Sequence, residues 1–198
     1  MGQIDAGNIE DIFTALDHQI GVHAGMPLGL VVCGGTALFA LGLVMRTTKD
    51  VDVLGAVLET PGGLIIQKII KFPEWLTDAA SKIRRDFDLP ENWLNLGPAT
   101  QVESGLPEGF GKRLVKRVYG EYLSIYFISR IDQIHFKLYA AVDRGDYHVQ
   151  DLFALRPIED EIETAAKWVI TQDVSDVFKT LLKDFLEVNH HGAVAERI

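Results

Sequence analysis

Leu30-Val31-Val32-Cys33-Gly34-Gly35-Thr36 ends one apolar run, and Lys49-Asp50-Val51-Asp52-Val53-Leu54 opens the next. Fourteen residues separate Gly35 from Asp50, among them Arg46, Thr47 and Thr48. Read as a strand, Lys49–Leu54 turns its side chains to alternate faces, so Asp50 and Asp52 share one face while Val51 and Val53 enter the core. Two carboxylates on one face repel each other unless a divalent cation sits between them. Magnesium binds a few carboxylates together with substrate phosphates, which is the set this spacing offers. The plain alternative is an acidic pair on a solvated strand face. Gly34, Gly35 and Thr36 serve two readings that are compatible. Backbone N–H groups and one hydroxyl at a helix start can approach a phosphate, and a tight strand-to-helix turn needs glycine for conformational reasons alone.

Working outward, Asn8–Gln19 carries Ile9, Ile12, Phe13 and Leu16 at helical spacing, so an amphipathic helix is expected there. Leu28–Cys33 reads as the first strand, Thr36–Leu43 as a buried helix and Asp50–Val57 as the second strand. Thr60-Pro61-Gly62-Gly63 is a turn. Pro73–Phe87 reads as a helix, with Lys82, Arg84 and Arg85 near its end, where cations suit the dipole. Leu89–Gly111 is rich in proline and glycine and is expected to be mostly loop. Arg113–Tyr119 and Tyr122–Ser129 form an antiparallel hairpin turning at Gly120-Glu121. From Ser129, a possible cap with Asp132 completing S-x-x-D, the pattern is helical: first to about Arg144, then over Val149–Leu155, Ile158–Ile170 and Val174–Asn189. His190-His191 is expected in a frayed tail. The division expected is an α/β lobe over residues 1–128 and a helical lobe over residues 129–198.

Composition narrows the classes. A chain of 198 residues with 47% hydrophobic content can bury a sizeable core. Its net charge of −9 argues against a surface that coats nucleic acid, because that needs a basic stripe. Cys33 is the one cysteine, so no intramolecular disulfide framework exists and a reducing cytoplasm is the expected compartment. Gly25–Met45 has no charged side chain and is long enough to raise the question of a membrane span. Pro27 and five glycines interrupt it, and Asp5, Glu10, Asp11 and Asp17 precede it where a signal peptide would be cationic. A buried strand, turn and helix is the expectation, with no membrane contact. His18, His23, His135, His148, His190 and His191 form no ligand spacing, and zinc is not expected.

The order strand, Gly-Gly, helix, Asp-x-Asp strand resembles the nucleotidyltransferase superfamily that includes DNA polymerase beta. The wording Gly34-Gly35-Thr36-Ala37 and Arg46-Thr47-Thr48-Lys49-Asp50 is most similar to bacterial nucleotidyltransferase-like proteins, among them the toxin partners of abortive-infection systems. Looser similarity extends through Glu91-Asn92-Trp93-Leu94-Asn95, Gly105-Leu106-Pro107 and Lys137-Leu138-Tyr139-Ala140, with Asp143-Arg144 and Asp151-Leu152 following. The resemblance implies an α+β fold with a nucleotidyltransferase-type mixed β-sheet and flanking helices, followed by a C-terminal helical part.

It also implies a magnesium-dependent transfer from a nucleoside triphosphate to a hydroxyl acceptor: an RNA end, a protein side chain or a small molecule. A toxin–antitoxin role is implied too. Asp50 and Asp52 would be the catalytic and metal-binding residues, for a two-metal site. Gly34, Gly35, Thr36, Arg46, Thr47, Lys49 and Lys137 would contact the nucleotide. Lys137 falls beside the apolar stripe of Ile134, Leu138 and Ala141, so it needs an anion or must reach outward. Asp151 is its expected neighbour, and Arg144 and Asp151 would stand at the cleft rim, so that the helical part closes the site. Arg46 could equally ion-pair with Asp50. One departure matters: many active members carry a third carboxylate on a later strand, and Tyr122-Leu123-Ser124-Ile125-Tyr126-Phe127 contains no acid. The rival expectation is therefore a catalytically degenerate fold that binds a nucleotide or a protein partner.

Overall fold

A computed structural model describes residues 2–45 and 47–198. The chain falls into two compact units, Met1–Ser129 and Arg130–Ile198. Its architecture is mixed α+β. Among the described residues no helix is long and apolar enough to cross a membrane.

The first unit is built around helix α1 (Ile9–Val22), strand β1 (Leu28–Cys33), helix α2 (Gly34–Ala40), the hairpin strands β2 (Val51–Thr60) and β3 (Gly63–Gln67), and helix α3 (Glu74–Asp86). The two-residue strand β4 (Leu94–Asn95), a 3-10 turn at Gly97–Thr100, and the short helices α4 (Gln101–Ser104) and α5 (Phe110–Arg113) follow. Strands β5 (Val115–Val118) and β6 (Leu123–Phe127) close the unit. The sheet order is β3-β2-β1-β6-β5, with β4 added beside β2. β1 pairs antiparallel with β2 and parallel with β6, so the strand that ends at the Gly-Gly turn lies inside the sheet. Leu30, Val31 and Val32 are fully buried there, as expected of a strand without polar side chains. The region from Gly25 to Met45 is thus a strand, a turn and a helix.

β3 is a strand that the sequence reading did not include. Leu64, Ile65 and Ile66 form a continuous apolar run, yet the strand alternates between exposed and half-buried positions because it sits at a sheet edge. Its partner register, Leu58 with Ile65 and Thr60 with Gly63, is closed by the Pro61-Gly62 turn. α1 meets the core through Ile9, Ile12, Phe13, Leu16 and Ile20, and Asp17 occupies the same stripe. That acid is explained by the hairpin it serves. Its Oδ1 accepts the backbone N–H groups of Tyr122 (2.8 Å) and Leu123 (2.7 Å). Gly120 is required beside it, because a Cβ there would lie 2.1 Å from Asp17 Oδ2. One carboxylate ties the helix to the start of β6.

The second unit is helical: α6 (Arg130–Arg144), α7 (Tyr147–Ala154), α8 (Glu159–Gln172), α9 (Asp176–Val188) and α10 (Gly192–Arg197). α10 follows directly on the His190-His191 pair, where the sequence reading placed a frayed tail, and it buries Val194 and Ala195. α6 packs on α7, α8 and α9. Arg130 joins three of these segments. It donates to the carbonyls of Leu155 (2.8 Å) and Arg156 (2.8 Å) and grips both carboxylate oxygens of Glu161 at 2.7 and 3.0 Å. Such a fork-to-fork pair is stronger than a single charged contact.

Two expectations follow. Asp17→Ala should destabilise the protein by about 2–3 kcal/mol, since two N–H groups lose a charged acceptor, and Asp17→Asn should lose less; urea unfolding followed by tryptophan fluorescence measures both. The second concerns acid. The Arg130 guanidinium holds the Glu161 carboxyl below its usual 4.5. A depressed folded value means that this stability is present above the usual value and lost as pH falls through the folded one. Helical circular dichroism between about pH 5 and about pH 2 should therefore show an acid-induced loss that is smaller in Glu161→Gln.

Candidate functional site

In the first unit, Gly34, Gly35 and Thr36 follow directly on β1. Gly34 has φ +67°, a left-handed conformation that a side chain rarely adopts, and it lets the chain turn from β1 into α2. Asp52 lies opposite, because Cys33 and Asp52 are register partners across β1 and β2. A Cβ on Gly34 would stand 2.2 Å from Asp52 Oδ2. The carboxylate therefore occupies the space that glycine leaves open. The backbone carbonyl of Asp52 also accepts from Cys33 Sγ at 3.6 Å, which gives the buried thiol a place in the packing.

Asp50 stands one residue before β2, on the other side of fully buried Val51. Its backbone carbonyl accepts from Thr36 Oγ1 at 2.7 Å, and its side-chain Oδ1 accepts from Thr48 Oγ1 at 2.9 Å. Thr36 is 1% exposed, so its hydroxyl fastens α2 to the start of β2 from within the core. The segment ahead of the acids is held by the chain's beginning. Ile4 and Thr48 exchange both backbone hydrogen bonds (2.8 and 2.9 Å), and Thr47 Oγ1 donates to Gln3 Oε1 at 2.8 Å. Lys49 is exposed. Arg46 lies outside the described residues.

Asp52 has a neighbour that the sequence reading named only as part of a motif. β4 runs parallel to β2 with Asn95 paired to Asp52, and Asn95 Nδ2 donates to Asp52 Oδ1 at 3.2 Å. Thr48 was missed likewise. Neither has a signal in hydrophobic periodicity: Asn95 lies on a strand of two residues, and Thr48 on a single β-bridge to Ile4.

The oxygen donors of Asp50 and Asp52 are hard ligands, and magnesium commonly uses one or two carboxylates with substrate phosphates completing its shell. The donor chemistry of these two side chains suits that ion. Among the described residues no group of three or more His, Cys, Asp or Glu side chains is placed to hold a metal by itself.

Lys137, Arg144 and Asp151 belong to the second unit. Lys137 projects from the buried face of α6, and its Nζ meets Asp151 Oδ2 at 2.7 Å with both side chains about 5% exposed. The amine also sits 5.7 Å from the centroid of the Tyr147 ring, within cation–π range. The two residues are thus neighbours, joined across α6 and α7. Arg144 is exposed and pairs with Asp143 at 3.2 Å.

Removing one member of a buried ion pair strands the other. Lys137→Met should cost about 3–5 kcal/mol of stability, and Lys137→Met/Asp151→Leu should recover part of it. Urea midpoints of the three proteins test this; a double variant no more stable than the single one would locate the cost elsewhere.

Compared with protein-family descriptions, with curated proteins and with solved structures, the chain matches none.

Proposed function

We propose that this chain is a magnesium-dependent nucleotidyltransferase of the polymerase beta type, acting on a nucleoside triphosphate and a hydroxyl acceptor. The observation that carries this reading is the packing of the Asp52 carboxylate against the bare Cα of Gly34 at the β1–α2 turn. The same turn is tied to Asp50 through Thr36. A glycine turn with the Asp52 carboxylate packed on it, and a second acid two residues earlier in the chain, suits a triphosphate bound through a divalent cation.

In this reading Asp50 and Asp52 hold magnesium, which supplies charge stabilisation to the phosphates when bound. The backbone at Gly34 and Gly35 faces the phosphates, and Thr36 supports the turn rather than the ligand. Arg46, Thr47 and Lys49 neutralise phosphate charge from the segment before β2. The acceptor hydroxyl oxygen bonds to the α-phosphorus while the bond from that phosphorus to the bridging oxygen breaks. Pyrophosphate leaves with the electron pair, and the hydroxyl proton passes to water. The acidic surface favours a compact acceptor, either a protein side chain or a small molecule, over long nucleic acid. Lys137 serves the helical unit through Asp151. A reducing cytoplasm and a place in a toxin–antitoxin pair belong to the same proposal.

A second reading has its own support. β6 (Leu123-Ser124-Ile125-Tyr126-Phe127) carries no acid to activate the acceptor. The alternative is a degenerate nucleotidyltransferase fold that binds a nucleotide or a protein partner without turnover.

Incubation with labelled triphosphates, magnesium and a panel of acceptors separates the readings. Wild type should transfer label, and Asp50→Ala/Asp52→Ala should lose it by about 100-fold or more. Equal transfer by both proteins would remove the carboxylates from the mechanism. Calorimetric binding of magnesium and triphosphate without transfer would favour the second reading, and no binding would leave only a protein-interaction role.

A further inference from the structure

We propose that Asn95 is a positioning residue that holds the Asp52 carboxylate in one orientation over the Gly34 turn. The inference rests on the preceding reading of Asp52 as a metal-binding carboxylate, and it concerns a residue to which that reading gives no part.

The argument begins at Trp93. Its side chain is 1% exposed, and its indole N–H donates to the carbonyl of Ala80 in α3 at 3.0 Å. Its own carbonyl accepts the N–H of Val51 at 2.5 Å, which starts the parallel pairing of β4 with β2. A segment with little regular structure is thereby fixed to both a helix and the sheet. Register then sets Asn95 beside Asp52, and side chains at paired positions leave the same face.

The amide's orientation is decided by chemistry. Asn95 Oδ1 accepts the backbone N–H of Gly97 at 2.8 Å. An N–H can only donate, so the oxygen of the amide must face Gly97 and the nitrogen must face the other way. The nitrogen meets Asp52 Oδ1 at 3.2 Å. Gly34 borders Oδ2 of the same carboxylate. The carboxylate is thus bounded on one oxygen by a donor and on the other by a glycine Cα. An amide does this without carrying charge. Outer partners of metal ligands commonly act in this way.

A double-mutant cycle on the full chain tests the proposal, read as urea midpoints in the presence of chelator. Asn95→Asp preserves the acceptor for Gly97 and replaces the donor with a second carboxylate facing Asp52. It should lower the midpoint clearly in the Asp52 background and much less in the Asp52→Asn background, where an amide can donate to the new carboxylate. If Asn95→Asp alone does not fold, folding in the Asp52→Asn background is the same expected coupling. An equal drop in both backgrounds, or failure to fold in both, would overturn the proposal and leave Asn95 only the turn at Gly97.

With transfer measurable, Asn95→Ala should reduce kcat by about 10- to 100-fold and leave the triphosphate KM within about twofold. Full kcat in the folded variant would also overturn it. Wild type without any transfer would sink the nucleotidyltransferase reading alone, since the unfolding cycle decides the part played by Asn95 independently.

Discussion

The N–H and C=O groups of β1 from Leu30 to Cys33 must all be bonded, because this part of the strand is buried and has no polar side chain beyond Cys33. Much of the first unit follows from that requirement. Two neighbours are needed, and the chain supplies β2 from one side and β6 from the other. The antiparallel register with β2 sets Cys33 against Asp52, so the glycine that follows Cys33 arrives beside a carboxylate. Gly34 then answers two demands at once: a positive φ to leave the strand and the absence of a Cβ where Asp52 sits. Asp17 secures the other neighbour by binding the first N–H groups of β6. The candidate site is therefore a by-product of how one apolar strand satisfies its backbone.

The helical unit solves a different problem. Its apolar stripes leave room for charges, and two cations of α6 meet carboxylates of the neighbouring helices. Lys137 meets Asp151, and Arg130 meets Glu161 as well as two carbonyls where α7 gives way to α8. Charged pairs of this kind constrain which helix faces meet, because any other packing would strand a charge. Their value lies as much in excluding alternatives as in stabilising the native arrangement.

Residues of strong periodicity were legible. Ile9, Ile12, Phe13 and Leu16 mark α1, the charge-free run before Gly34 marks β1, and the alternation after Arg113 marks the β5–β6 hairpin. Apolar burial decides such elements locally. β3 was not legible, because this edge strand is exposed on one face and half-buried on the other while its composition does not alternate. β4 exists only through its pairing with β2, a relation between distant residues that no window contains. In the candidate site, the glycines and carboxylates stood out by type and spacing. The hydrogen bonds that orient them did not, since Thr48 and Asn95 are ordinary polar residues until their partners are known. Asp17 lay between these cases. An acid inside an apolar stripe predicts a buried donor nearby, and here the donors were two backbone N–H groups on the hairpin.

The parallel pairing of β1 with β6 carries a consequence for how the chain folds. Leu28 is aligned with Leu123 and Val32 with Phe127, so one edge of β1 waits for residues that lie most of a unit away. The β1–β2 side closes over a far shorter loop and can form first. During synthesis, an edge presenting Leu30, Val31 and Val32 stays open until the hairpin of β5 and β6 has emerged. An open apolar edge is a template for pairing with another chain. Long-range parallel contacts also slow the search for the native sheet. A strand that is interior in the finished protein is thus open to aggregation while the protein is being made.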